Sequence, residues 1–218
     1  MSDYNVGELV SDFLSENKVD TAFGVVSVHN IPMLDAIAKT NRIKFVPARG
    51  EMGAGHMADG YSRSKKSLGV VFTSTGPGAA NVVGALVEAR FAGTPLLHIT
   101  GQTATENLDK KQGTVHEVPN QLDMLKSVSK NAFRINKPEE TLSILEEAVK
   151  CCLTSPTGPV SVEIPIDIQR TVISKPQVIP IVKEESESLI LGNIDTIKQI
   201  EKSIRNSNRK VLWIGNGA

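Results

Sequence analysis

RGEMGAGHMADGYSRSKKSLGVVFTSTGPGAAN, residues 49–81, decides how this chain is read. Its first half places one acid, Glu51, where a short β-branched run (IKFVPA, 43–48) gives way to helical spacing. Its second half places a turn, Gly76-Pro77-Gly78, between the apolar run GVVFTST (69–75) and another helical segment. Small residues crowd both junctions, so backbone or a ligand can come close to Glu51. A carboxylate so placed suits chemistry on a flat organic group. It suits a plain helix start equally well, where the positive end of the dipole favours an acid by about 0.3–1 kcal/mol.

On either side of this stretch, two periods alternate along the first 170 residues. Val6, Leu9, Val10, Phe13 and Leu14 form one face of a helix. Further helical segments are IPMLDAIAKT (31–40, with Pro32 near its start), EMGAGHMADGYSRS (51–64) and AANVVGALVEARFA (79–92). Another is PEETLSILEEAVKCCL (138–153), whose first turn carries Pro138, Glu139 and Glu140. Between them lie the strand-like runs TAFGVV (21–26), IKFVPA, GVVFTST, PLLHIT (95–100) and PVSVEI (159–164). Apolar strands alternating with helices predict a three-layer α/β/α domain around a central parallel sheet. Ligands of such sheets sit at the carboxyl ends of the strands. Glu51, the glycine turn and the loop over 23–30 all fall there.

Residues 171–190, with two prolines and mixed charge, predict an extended linker. IDTIKQIEKSIRNS (194–207) then predicts a helix, and KVLWIG (210–215) a strand followed by Asn216-Gly217. One such step cannot bury a core, so residues 191–218 read as the truncated start of a further domain.

Composition narrows the class. The 24 basic and 24 acidic residues balance, which leaves no electrostatic footprint for nucleic acid or an anionic membrane. The two cysteines, Cys151 and Cys152, are adjacent and badly placed to pair, which favours a reducing compartment. The start MSDYNVGELVSDFL is not a secretory signal, and no apolar run approaches the roughly 20 residues that cross a bilayer. These features point to a soluble, cytoplasmic protein.

Several side chains invite chemistry. TGPGAAN (75–81) opens a helix as phosphate cradles do, yet it lacks a P-loop's lysine and hydroxyl and the dinucleotide G-x-G-x-x-G spacing. A tight turn that brings strand and helix together explains it better. His29 and His116 lie on loops at the carboxyl side, and each suits proton transfer or simple surface exposure. His98, in a strand, and His56, in a helix, read as packing residues. No metal-ligand spacing and no nucleophile elbow occur.

In this order and spacing, the motifs resemble the pyrimidine-binding (PYR) domain of thiamine diphosphate enzymes. The resemblance is to the acetolactate synthase and benzaldehyde lyase-like branch of the 2-oxo acid decarboxylase superfamily. It rests on AFG (22–24), RGEMGAGHMADGYSR (49–63), TSTGPGAAN (73–81), AGTPLLHITGQ (92–102), VSK (128–130) and GPVSVEIPIDIQ (158–169). The chain departs from the pattern at Val26-Ser27, where many members read Pro-Gly, and at Gly50, where others read histidine. Residues 190–218 are similar to the opening of the family's central domain, including the turn GNGA (215–218).

The resemblance implies that Glu51 hydrogen-bonds N1′ of the cofactor's aminopyrimidine, controls its tautomer and shares a proton with it. Burial would raise that carboxyl's pKa. It implies that Thr75, Gly76, Pro77, Gly78 and Asn81 shape the pyrimidine pocket, and that His29 lies near the reacting carbon. His116 and Glu117 fall where many members carry an aromatic or aliphatic residue followed by glutamine, and are candidates for handling substrate. The implied substrate is a 2-oxo acid. The implied cofactors are thiamine diphosphate and Mg²⁺, with FAD allowed by the family pattern. Mg²⁺ is held by a diphosphate-binding (PP) domain, whose Gly-Asp-Gly start does not occur in these 218 residues. The family places the cofactor between the PYR domain of one chain and the PP domain of another copy, hence a homo-oligomer. This stretch alone is then expected to be inactive. The alternatives are the natural PYR subunit of a split 2-oxo acid decarboxylase and a non-catalytic Rossmann-like nucleotide-binding module.

Overall fold

A computed structural model describes residues 4–183 and 192–215. They fall into two compact units, divided between residues 184 and 185. The first unit is a sheet of six strands, every pair parallel. The strands are β1 (Thr21–Gly24), β2 (Lys44–Pro47), β3 (Gly69–Thr73), β4 (Leu96–Gln102), β5 (Asn131–Arg134) and β6 (Pro159–Pro165). Their order across the sheet is β2-β1-β3-β4-β6-β5.

Three of the four interior strands, β3, β4 and β6, are buried along their whole length, which accounts for their unbroken apolar runs. Successive side chains point to opposite faces. Val70 and Phe72 join one core with Val10, Phe13, Met33 and Leu145, while Val71 joins the other with Ala54, Ala85 and Leu125. The first core is built by α1 (Val6–Glu16), α2 (Ile31–Thr40) and α7 (Thr141–Leu153), and the second by α3 (Glu51–Lys65), α5 (Val83–Ala92) and α6 (Gln121–Val128). A short α8 (Ile166–Arg170) follows β6 and adds Ile168 to the first core. The second layer packs on small residues. A Cβ on Gly55 of α3 would lie 2.6 Å from Ala85 Cβ of α5, so that approach requires glycine.

Several elements differ from the sequence reading, and α6 and α8 have no counterpart there. β5, AFR and its neighbour Asn131, has no counterpart there, because four edge residues carry no clear alternation. The helix expected over 79–92 is two, α4 (Pro77–Asn81) and α5, joined at Val82. KVLWIG is not a strand: residues 210–215 have no regular structure, and Trp213 is 92 % exposed. A strand needs a neighbour for its backbone groups, and among the described residues none pairs with it. The turn GNGA lies outside the described residues beyond Gly215, as do 184–190 of the expected linker and residue 191 after it. The second unit's helix α9 (Ile194–Asn206) is capped by Asn193, whose side chain accepts the amides of Asp195 and Thr196. Residues 171–183 form no helix or strand beyond an isolated antiparallel bridge of Val172 to Asn5, and Ile173, Ile179 and Val182 pack against the first core. Among the described residues, no helix is long and apolar enough to cross a membrane.

His98 on β4 is fully buried, as the sequence suggests, and links three strands. Its Nε2 lies 2.9 Å from the Thr73 hydroxyl and its Nδ1 2.9 Å from that of Ser161. Burial lowers its pKa to about 3, so the ring stays neutral in the fold. Above the ordinary histidine value of 6.5 neither state of the chain is protonated, and the contribution to stability is complete. Below it, only the unfolded chain takes the proton. Stability should therefore fall as pH drops from about 6.5 towards 3, by up to about 1.4 kcal/mol per pH unit. His98→Gln should flatten that part of the urea-stability profile. An unchanged slope would show that His98 does not set it. His56, by contrast, is exposed on the outer face of α3 and packs against nothing in the core.

Candidate active site

Strand order sets the place. From β1 the chain runs to β2 on one side, and then returns past β1 to β3 on the other. The loops leaving β1 and β3 therefore diverge, and the crevice between them at the carboxyl ends is where such sheets bind ligands. The loop after β1 carries His29, the turn after β3 carries Gly76 to Gly78, and Glu51 opens the helix after β2. A hydrogen bond of 2.7 Å between the Ser27 and Ser74 hydroxyls ties the first two together.

Glu51 is the first residue of α3, with Gly50 as N-cap in extended backbone. It is 9 % exposed and lines an open groove of about 540 Å³ with Ala48, Met52, Met57 and Asn81. Asn81 Nδ2 donates to Glu51 Oε2 at 3.3 Å, its hydrogen-bond partner among the described residues. Behind it, Gly78 comes so close that a Cβ there would lie 2.7 Å from Glu51 Oε1. The carboxylate thus lies between the turn, which meets Oε1, and the groove that Glu51 lines.

Gly76 has φ +58 and ψ −113, a conformation that favours glycine, and a Cβ on it would lie 2.0 Å from the carbonyl oxygen of His116. Its N–H donates to Gln121 Oε1 at 2.6 Å. That donor is spent inside the protein, and α4 has only five residues, so the turn is no phosphate cradle. Thr75 is fully buried, its hydroxyl 2.9 Å from Gln102 Oε1 and 3.0 Å from Gln121 Oε1. It braces the turn from below, while Pro77 starts α4 at the surface.

His29 and His116 are brought together, ring centroids 5.4 Å apart. His29 is buried, and its Nδ1 has no hydrogen-bond partner among the described residues. Burial, and then the neighbouring His116, lower its pKa. Glu117 takes the amides of Lys111 and Thr114, at 2.8 and 3.0 Å, and so shapes the loop that carries His116.

Residues that sequence reasoning passes over hold these parts in place. Asn30 Nδ2 donates to the carbonyls of Val25 and Thr73, and its Oδ1 accepts the Ser27 amide. Gln169 Nε2 donates to the His29 carbonyl at 2.7 Å. Gln121 and Glu163 lie beneath the turn, joined at 2.7 Å. For Glu163 a signal exists, since one acid in the apolar run PVSVEIP needs a buried partner. Among the described residues, no group of three His, Cys, Asp or Glu is arranged to hold a metal.

Residues 4–124, more than half of the chain, match the family model described as thiamine pyrophosphate enzyme, N-terminal TPP binding domain. The chain is 32% identical over 170 residues to the mitochondrial acetolactate synthase catalytic subunit of Saccharomyces cerevisiae, covering 78% of this chain and 24% of that protein. It is 26% identical over 211 residues to the acetolactate synthase isozyme 1 large subunit of Escherichia coli, covering 96% and 36%. A probable 2-ketoarginine decarboxylase of Pseudomonas aeruginosa is 32% identical over 162 residues, 74% and 29% of the two lengths. The chain thus spans from about a quarter to just over a third of the length of these curated relatives. By the match over residues 4–124, and with the parallel sheet and glycine turn to carry it, this chain belongs to the thiamine pyrophosphate enzymes and holds their N-terminal TPP-binding domain.

Proposed function

We propose that this chain is the pyrimidine-binding part of a thiamine diphosphate-dependent lyase or transferase of the acetolactate synthase type, acting on a 2-oxo acid. The observation that carries the reading is Glu51: a carboxylate at a helix start, mostly buried, with one long hydrogen bond, lining an apolar groove. The groove suits a flat heterocycle, with Met52 and Met57 offering apolar contact and Glu51 and Asn81 offering polar partners. Thiamine diphosphate, when bound, supplies the electron sink that allows a 2-oxo acid to lose CO₂. The chain's own part is to hold and release a proton at the Glu51 carboxyl, to keep the turn tight behind it, and to shield both from water. The His29–His116 pair, on the loops that follow β1 and β4, is the proposed contact for substrate, with Glu117 ordering the loop.

The other end of the cofactor, with Mg²⁺, is proposed to be held by a diphosphate-binding domain of another copy of the full-length chain. The outer faces of α3 and α5 support a close neighbour there. A Cβ on Gly53 or Gly60 of α3 would meet no atom within 4 Å, and helical glycine costs about 1 kcal/mol relative to alanine. Beside them Met52, Val87 and Phe91 are 55 %, 48 % and 89 % exposed. Small residues flanked by exposed large ones fit a surface that another helix covers.

The test is to give the full-length protein thiamine diphosphate, Mg²⁺ and a series of 2-oxo acids, and to measure cofactor binding by calorimetry and CO₂ release. Saturable binding with CO₂ released from at least one acid is expected. Absence of binding at millimolar cofactor would overturn the reading.

A further inference from the structure

Beneath the glycine turn runs a buried polar chain that the proposed chemistry does not use. Gly76 N–H donates to Gln121 Oε1. Gln121 Nε2 donates to Glu163 Oε1, and Arg134 Nε donates to Glu163 Oε2 at 2.8 Å. Arg134 reaches on to Asp109 at 2.7 Å. Gln121 is 1 % exposed and Glu163 is fully buried. Burial works against the charge on Arg134, but Glu163 and Asp109 outweigh it and hold the guanidinium above its ordinary pKa. Such a buried pair is a poor device for stability, since well-packed apolar residues commonly serve as well or better. Direction is what it offers. An ionised carboxylate only accepts hydrogen bonds, whereas a glutamine amide can face either way.

We propose that Gln121 and Glu163 are positioning residues: the Glu163 carboxylate, pinned by Arg134, orients the Gln121 amide so that its carbonyl holds the Gly76 N–H and sets the turn against Glu51. The consequence for the cofactor rests on the reading of the Glu51 groove given above; the orientation of the amide does not.

The decisive variant is Gln121→Glu, which keeps the shape and changes the proton. Protonated, the new carboxyl donates to Glu163 and offers its carbonyl to Gly76, as the amide does. Ionised, it faces Glu163 across the same contact, and like charges repel. The charged or titratable groups around it are Glu163 on β6, Arg134 on β5, Asp109 and His116 on the 103–120 loop, and Glu51 beyond the turn. The repulsion from Glu163 raises the new carboxyl's pKa, so the relay should hold at acid pH and fail as pH rises.

Amide exchange at Gly76, read in the cofactor-free chain relative to wild type, should match within about threefold at pH 5.5 and be faster by about tenfold or more at pH 8. Gln121→Leu should lose that protection at both pH values. In the full-length holoenzyme, the ratio of variant to wild-type Kd for thiamine diphosphate should follow the same course. Unchanged Gly76 exchange in Gln121→Leu overturns the relay. Lost protection with a Kd ratio near one at both pH values overturns the positioning role. If wild type binds no thiamine diphosphate, the functional reading fails, and Gly76 exchange still decides the orientation. If Gln121→Leu does not fold, Gln121→Glu compared across pH carries the test alone.

Discussion

Glu51→Gln in the full-length protein is expected to lower turnover and the exchange of the cofactor's C2 proton by about 10²–10⁴-fold, the range for a positioned acid–base group. Stability should hardly move. The glutamine keeps the size of Glu51, can still accept from Asn81, and loses only the interaction of a charge with the helix start, about 0.3–1 kcal/mol. The two magnitudes separate the explanations. If Glu51 merely capped α3, melting and activity would drop together by a small amount. If it holds a proton on the groove side, the rate collapses while the melting midpoint stays within a few degrees. C2-proton exchange by NMR reads the second case directly, and exchange at the wild-type rate would sink the proposed role.

Gly76→Ala is expected to be the most damaging single methyl in the site, at about 3–5 kcal/mol, in the class of strained or overpacked positions. Two costs coincide there. The backbone, at φ +58 and ψ −113, lies where an L side chain is strained. The new Cβ would also meet the backbone oxygen of His116 at 2.0 Å, and that loop backbone cannot swing aside like a side-chain tip. To make room, the 103–120 loop must retreat or the turn must open. Opening the turn takes Gly76 N–H from Gln121 and Gly78 from behind Glu51. Urea unfolding should show a lower midpoint with little change in slope. A loss below about 0.5 kcal/mol would show that the turn is free to repack.

Most of the frame is legible in the residues because it rests on local rules. The central strands are apolar over long runs, the helices show one apolar face, and β-to-helix junctions are marked by Gly and Pro. Hence α2 falls on the expected residues, and Glu51 begins α3 where the change of period places it. Elements without such marks escape. β5 is a short edge strand whose pairing with β6 is non-local, and α6 begins at Gln121, after an irregular stretch. The exposure of His56 and the irregular backbone of 210–215 differ from expectation for one reason: whether a side chain packs, or a backbone pairs, depends on what lies opposite it in space.

Period and turn chemistry act over a few residues. They suffice to specify a parallel α/β sheet that presents Glu51 and a Gly-Pro-Gly turn at neighbouring strand ends. What presses on those two features is set by the folded arrangement alone. Gly78 lies against Glu51, His116 closes over Gly76, and Gln121 and Glu163, 42 residues apart in the chain, meet beneath the turn. Those contacts arise from strand order, which brings β6 beside β4 and α6 under α4. Long-range pairing of that kind leaves no local period in the residues that make it.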